Sequence, residues 1–195
     1  MTLTTNQLHV GERLRQLRAG RGLSVRTLAT RAGFSPSFIS QVEHGQVSPS
    51  IASLERIAAV LGVTLGGFFT EPSPSPVAVV QAMDRQELTS AWSRAKIEAL
   101  GPAGGTRRLE PIMITLAAGG RTGTRLHATL AEQFALVWDG EVTLTLPEST
   151  YTLRQGDAVS LAAETPHQWE NTGSSPARVL IVSTHAGSSD GKTSS

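Results

Sequence analysis

One long side-chain amide, Gln41, stands among small polar residues in the run SPSFISQVEHG, residues 35–45. An amide of that length can pair with an adenine edge through both of its groups, or serve another base edge through one. Ser35, Ser37 and Ser40 around it are small enough not to block close approach. A second Ser-Pro-Ser, residues 48–50, puts unbonded N–H groups at the start of a new helix, where phosphate oxygens are good acceptors. The chemistry on offer is hydrogen bonding to a polyanion, base edges at one helix and backbone at the next. No Ser-His-Asp set, P-loop or GxGxxG run supplies a catalytic alternative.

Helices must position these groups, and the front of the chain has the period for them. Leu8, Leu14 and Leu17 share one face, and Gly20 and Gly22 end that helix. Ser24 can cap a second helix, carrying Val25, Leu28, Ala29 and Ala32 and stopping at Gly33. Ser35 caps a third, with Pro36 at the first helical position, where a missing N–H costs nothing. Ser50 caps a fourth through Ile51, Leu54, Ile57 and Leu61, and a short fifth runs from about Thr64 to Phe69. The three-residue turn Gly33-Phe34-Ser35 between the second and third helices spells a helix-turn-helix, whose second helix enters the major groove.

The Pro-alternating stretch EPSPSP, residues 71–76, stops any helix or central strand. Beyond it the pattern is strand-like: VAVVQ, AKIEAL, LEPIMITLAA, FALVW, EVTLTLP, YTLRQ, DAVSLAA and ARVLIVST, separated by turn residues. Residues 84–92, DRQELTSAW, read as a helical turn or a loop. Many short strands suggest a sandwich or barrel. The expected organisation is a DNA-binding unit over 1–70, a linker over 71–76, a barrel over 77–186 and a disordered tail over 187–195. Charge follows the same division. Residues 1–70 hold seven Arg against three Glu, a net +4, while the remainder nets −3. A basic front half points to a polyanion partner for that half alone. The absence of cysteine among 195 residues excludes disulfides and Cys-zinc sites. Without an apolar leader or membrane span, the expected location is the cytoplasm.

Residues 9–69, with LRQLRAGRGLSVRTLATRAGFSPSFISQVEHGQVSPSIASLERIAAVLGV at their centre, resemble the phage-repressor (xenobiotic-response-element) helix-turn-helix family. The resemblance implies base contacts at Pro36, Ser37 and Gln41, with Ser35 and Ser40 beside them. It places Phe38 at a backbone position or against a thymine methyl, and Ser24, Arg26, Ser48 and Ser50 near phosphates. It also implies a buried ion pair between Arg18 and Glu43. Residues of about 110–185 resemble the cupin family, a double-stranded β-helix or jelly-roll barrel, through WDGEVTLTL, YTLRQGDAVSL and TPHQWENTG. Together the halves resemble the cupin-fused branch of the repressor family: bacterial, usually homodimeric regulators whose barrels bind small effectors.

Cupins often hold a metal through His-x-His-x3-Glu-x6-Gly and one later His. Counted back from Gly140, the resemblance puts His127 at the first His, Thr129 at the second and Gln133 at the Glu, with His167 as the later His. Thr and Gln are poor ligands for transition metals. No cofactor is therefore expected, and a divalent metal on His127, Glu132 and His167 would need a shift of register, because neighbours on a strand face opposite ways. The expected effector pocket is lined by Arg125, His127, Thr129, Gln133, His167 and Trp169, with Arg125 suited to a carboxylate. The leading expectation is a sequence-specific transcriptional regulator, a repressor more readily than an activator, and not an enzyme. The alternatives are a metal-dependent oxygenase or isomerase with a DNA-binding appendix, and a barrel that only dimerises.

Overall fold

The computed structural model describes residues 10–68, 75–102 and 108–184. Leu8, most of the Pro/Ser linker and the tail from 187 onward lie outside the described residues. Four helices open the chain: α1 Val10–Gly20, α2 Val25–Ala32, α3 Pro36–Glu43 and α4 Ile51–Val60. Serine hydroxyls cap three of them. Ser24 Oγ accepts from the N–H of Thr27, Ser35 Oγ from Phe38 and Ser50 Oγ from Ser53. Gly33 closes α2 in the left-handed region, at φ 69°. The expected fifth helix is a single 3-10 turn, Gly66–Phe68, because two successive glycines weaken a helix start.

Leu14, Leu28, Ile39, Val42, Leu54, Ile57 and Phe68 meet in the middle of this unit, all essentially inaccessible to solvent. Gly11 lets α1 press against the C-terminal carbonyls of α3, where any side-chain carbon would collide with Val42 O and Glu43 O. The Arg18–Glu43 pair expected from the resemblance is present. Arg18 Nε lies 2.6 Å from Glu43 Oε1 and Nη2 3.0 Å from Oε2, while Nη1 donates to Leu23 O. One guanidinium thereby ties α1 to α3 and to the turn before α2.

The remainder is antiparallel sheet. Its strands are β1 Glu87–Ser90, β2 Ala95–Ala99, β3 Leu109–Leu116, β4 Gln133–Asp139, β5 Glu141–Thr145, β6 Thr150–Arg154, β7 Ala158–Leu161, β8 Gln168–Glu170 and β9 Ala177–Thr184. A six-stranded sheet runs in the order β1-β2-β3-β9-β4-β7 and a three-stranded one in the order β6-β5-β8. Residues 119–127 extend the smaller sheet irregularly, bridging Arg121 to Glu170 and His127 to His167. This is the cupin-type barrel expected from the sequence. Two local expectations differ. VAVVQ is not a strand; Val77 and Val79 are exposed and the chain there passes directly into a 3-10 turn, Ala82–Asp84. The edge strand β1 lies instead in 87–90, where Leu88 is buried and Ser90 turns inward.

The two halves share one continuous apolar cluster running from the helices into the barrel. The 3-10 turn Gly66–Phe68 rests on β3, with Gly66 against Glu110 and Ile112. The start of α4 docks on the β1–β2 turn and on Thr122.

Candidate functional site

The second helix of the helix-turn-helix presents the residues singled out by the sequence. Ser35, Pro36, Ser37 and Gln41 are exposed along α3, and Ser24 and Arg26 are exposed at the start of α2. Phe38 and Ser40 are half-buried; the Phe38 ring packs on Phe34 with centroids 4.8 Å apart. Arg56 of α4 pins the intervening turn by donating to Ala32 O at 2.7 Å and lying over the Phe34 ring at 4.5 Å. An exposed, small-residue helix start with one long amide, held by a fixed turn, can lie in a DNA groove.

The start of α4 is engaged differently. Its three leading N–H groups have no partner within the helix. Ile51 N–H donates to Ser93 Oγ at 3.1 Å, Ala52 N–H to Thr122 O at 2.9 Å, and Ser53 N–H to Ser50 Oγ at 3.1 Å. Nearby, Ser48 Oγ accepts from Ala91 N–H at 3.0 Å and Ser90 Oγ donates to Pro49 O at 2.7 Å. The β1–β2 turn of the barrel therefore sits on the Ser48–Ser50 segment. Gly123 makes this approach possible, since a side-chain carbon there would come within 2.9 Å of Ala52 Cβ.

The barrel mouth gathers most of the expected pocket residues. His127 and His167 are backbone-paired in both directions, at 3.0 and 2.9 Å, with rings 5.0 Å apart. Trp169 stands edge-on to His167 at 6.5 Å. Gln133 is buried on the inward face of β4 and donates to Ser183 Oγ at 3.2 Å. Thr129 donates to Ala131 O, and Arg125 is exposed rather than inside with the others. The residue missed by the sequence reading is Glu55. It reaches from α4 to place Oε2 2.5 Å from His127 Nε2, a charge contact without the directional geometry of a hydrogen bond. The signal for it was slight: Glu55 is the only acidic residue in α4.

This contact sets the protonation pattern. Burial pulls the His127 imidazole down, but the Glu55 charge and contact outweigh it and leave His127 above its ordinary value. His167 is held below its ordinary value, chiefly by burial and further by the charge of His127, against the opposing bond to Thr165 O and the Glu55 charge. His167 Nδ1–H donates to Thr165 O at 2.9 Å, so its neutral form leaves Nε2 as an acceptor. Two buried donors, His127 Nδ1 and Trp169 Nε1, have no hydrogen-bond partner among the described residues.

The residues do not fit the metal that cupins often hold. His127 faces a carboxylate from another element, Thr129 and Gln133 are spent on Ala131 and Ser183, and the Glu132 side chain is exposed. Among the described residues no group of three or more His, Asp or Glu is arranged to take a metal ion. None of the described helices is long and apolar enough to cross a membrane.

A helix-turn-helix unit on a cupin-type barrel defines a DNA-binding transcriptional regulator, and the chain belongs to the helix-turn-helix regulators that carry a cupin domain. The helix-turn-helix domain family matches residues 9–66 and the cupin domain family residues 112–183. The chain is 32% identical over 176 residues to the HTH-type transcriptional regulator PuuR of Escherichia coli, spanning 89% of this chain and 94% of that protein. It is 28% identical over 160 residues to SutR, another HTH-type transcriptional regulator of that bacterium, spanning 82% of this chain and 85% of SutR. The crystal structure of an HTH_3 family transcriptional regulator from Vibrio cholerae matches with a TM-score of 0.69 at 26% identity, over 90% of this chain and 94% of that one.

Proposed function

We propose that the chain acts in the cytoplasm as a homodimeric repressor that reads double-stranded DNA through α3 and responds to a small molecule held in its barrel. The exposed face of α3 carries the reading. In it, Pro36, Ser37 and Gln41 face base edges, Ser35, Phe38 and Ser40 line the groove wall, and Ser24, Arg26, Ser48 and Ser50 take phosphates. A dimer would present two such helices to half-sites about one DNA turn, roughly 34 Å, apart. The barrel is a binding site rather than a catalytic one, because its first histidine is matched by a carboxylate and Thr129 and Gln133 bond to the barrel wall.

Selection of bound sequences from a random duplex library tests this. Enrichment of one two-fold symmetric sequence supports it, and retention of all sequences alike overturns it. On the selected duplex, Arg26→Ala should weaken specific and random binding together and reduce the salt slope by about one.

A further inference from the structure

Glu55 and Arg56 are consecutive residues of α4 with contacts on opposite sides. Glu55 meets His127 in the barrel mouth, while Arg56 holds the α2–α3 turn through Ala32 O and Phe34. The same helix spends its two leading N–H groups on Ser93 and Thr122 of the barrel. They directly follow Ser50, which the function proposed above assigns to a DNA phosphate, and a phosphate seated there would draw on the same helix-start N–H groups. Barrel docking and phosphate binding thus compete for the same donors.

The buried polar cluster around His127 also has a chemical preference. The Glu55 carboxylate favours the charged form of His127, whose side chain is only 7% exposed. Its second N–H, at Nδ1, is buried without an acceptor, and so is the indole N–H of Trp169, a residue 2% exposed. His167 lies in ring contact with both. Two buried, unanswered N–H groups, one of them on an imidazole whose charged form is favoured, call for acceptor oxygens carrying negative charge. Glu55 is such a group, supplied by the chain itself.

We infer that the barrel pocket around His127, His167 and Trp169 binds a small carboxylate, which displaces Glu55 and so releases the start of α4 for DNA. The inference rests on the DNA-binding role proposed above and names the ligand class for it. The tethered carboxylate is the resting occupant. An untethered one satisfies the same imidazolium and reaches the idle N–H groups as well. Loss of the Glu55 contact then loosens the Ser48–Ala52 seat.

Isothermal titration of succinate into the full chain measures the competition. Glu55→Gln keeps the shape and removes the charge, so succinate should bind it about tenfold tighter than wild type, the factor by which a site masked in about nine-tenths of molecules is weakened. His127→Gln should bind none, and succinamide at matched ionic strength should bind neither form. Hydrogen exchange at the Ile51 and Ala52 amides of wild type should quicken when succinate is added. Gly123→Ala crowds Ala52 from outside the pocket and should tighten succinate binding in the same direction, which keeps the test open if Glu55→Gln does not fold. Equal succinate affinity in wild type and both variants, no binding in any of them, or succinamide binding as well as succinate overturns the pocket. The two readings fail separately. A chain that binds succinate as described but no DNA overturns the function. A chain that selects DNA while α4 ignores succinate overturns the carboxylate.

Discussion

Gln41 is exposed on α3, and its long amide follows a helix start of small residues. Gln41→Ala should cost about 1–3 kcal/mol at one base pair and little at the others. Fluorescence anisotropy on a set of singly changed operators checks this, and an equal loss on every duplex would remove Gln41 from base reading. His127 makes a prediction in pH. Its folded value is raised above the ordinary 6.5, so its contribution to stability is complete below 6.5 and is lost as pH rises through the raised value. His167, which is lowered, acts the other way, losing its contribution as pH falls through its depressed value. The stability difference between wild type and His127→Gln separates the two. It should be largest at the acid end of about pH 5 to 8 in urea titrations and shrink toward the alkaline end. Apart from the Arg18–Glu43 pair, which came from the family resemblance, the residues legible in the sequence were those whose role is local. Ser24, Ser35 and Ser50 cap helices whose N–H groups lie three residues ahead. Glu55 was not legible, because its partner lies in the other half of the chain and no local pattern links a helical carboxylate to a barrel histidine.

The helices are set against each other by few polar contacts, and Arg18 carries several of them. Arg18→Met would strand Glu43, whose side chain is 4% exposed, without its cation. Breaking a buried pair from one side costs about 3–5 kcal/mol, so the cooperative unfolding of the helical unit should shift by about that amount in urea. Legibility at this scale followed the strength of periodicity. The heavily patterned strands β5, β3 and β9 lie where the alternation of VTLTL and the apolar runs of LEPIMITL and ARVLIVST put them. VAVVQ has strand-forming residues but no neighbouring strand to pair with, and composition alone cannot supply one. β1 has ordinary composition and exists because Glu87–Ser90 pairs with Ala95–Glu98 across a tight turn. That turn then serves the helices, since Ser90, Ala91 and Ser93 are the groups that grip the start of α4.

Among the described residues, the outer face of the six-stranded sheet carries aligned apolar side chains. Pro111, Val182 and Phe134 align across β3, β9 and β4, and Leu180 and Leu136 form the adjoining row. Phe134 is 43% exposed on it. The homodimer proposed above needs a face for its second copy, and this row offers one. Light scattering should find a dimer for wild type and a monomer for Phe134→Arg, and a Phe134→Arg dimer would move the interface elsewhere. The domain order and the change from helix to strand were readable from period and from the Pro-rich break. The docking between halves was not, because it depends on complementary shapes brought together only after each half folds. Gly123 shows what that means for the protein as a collection of parts. A contact that admits Ala52 only where the barrel has no side chain makes head and barrel a matched pair. Chimeras that join this head to a foreign barrel should fold and still bind DNA, but they should lose the ligand response proposed above unless the new barrel has glycine at this point and hydroxyls at the positions of Ser90 and Ser93. Recombination between such regulators would exchange sensing specificities only among barrels that keep this seat.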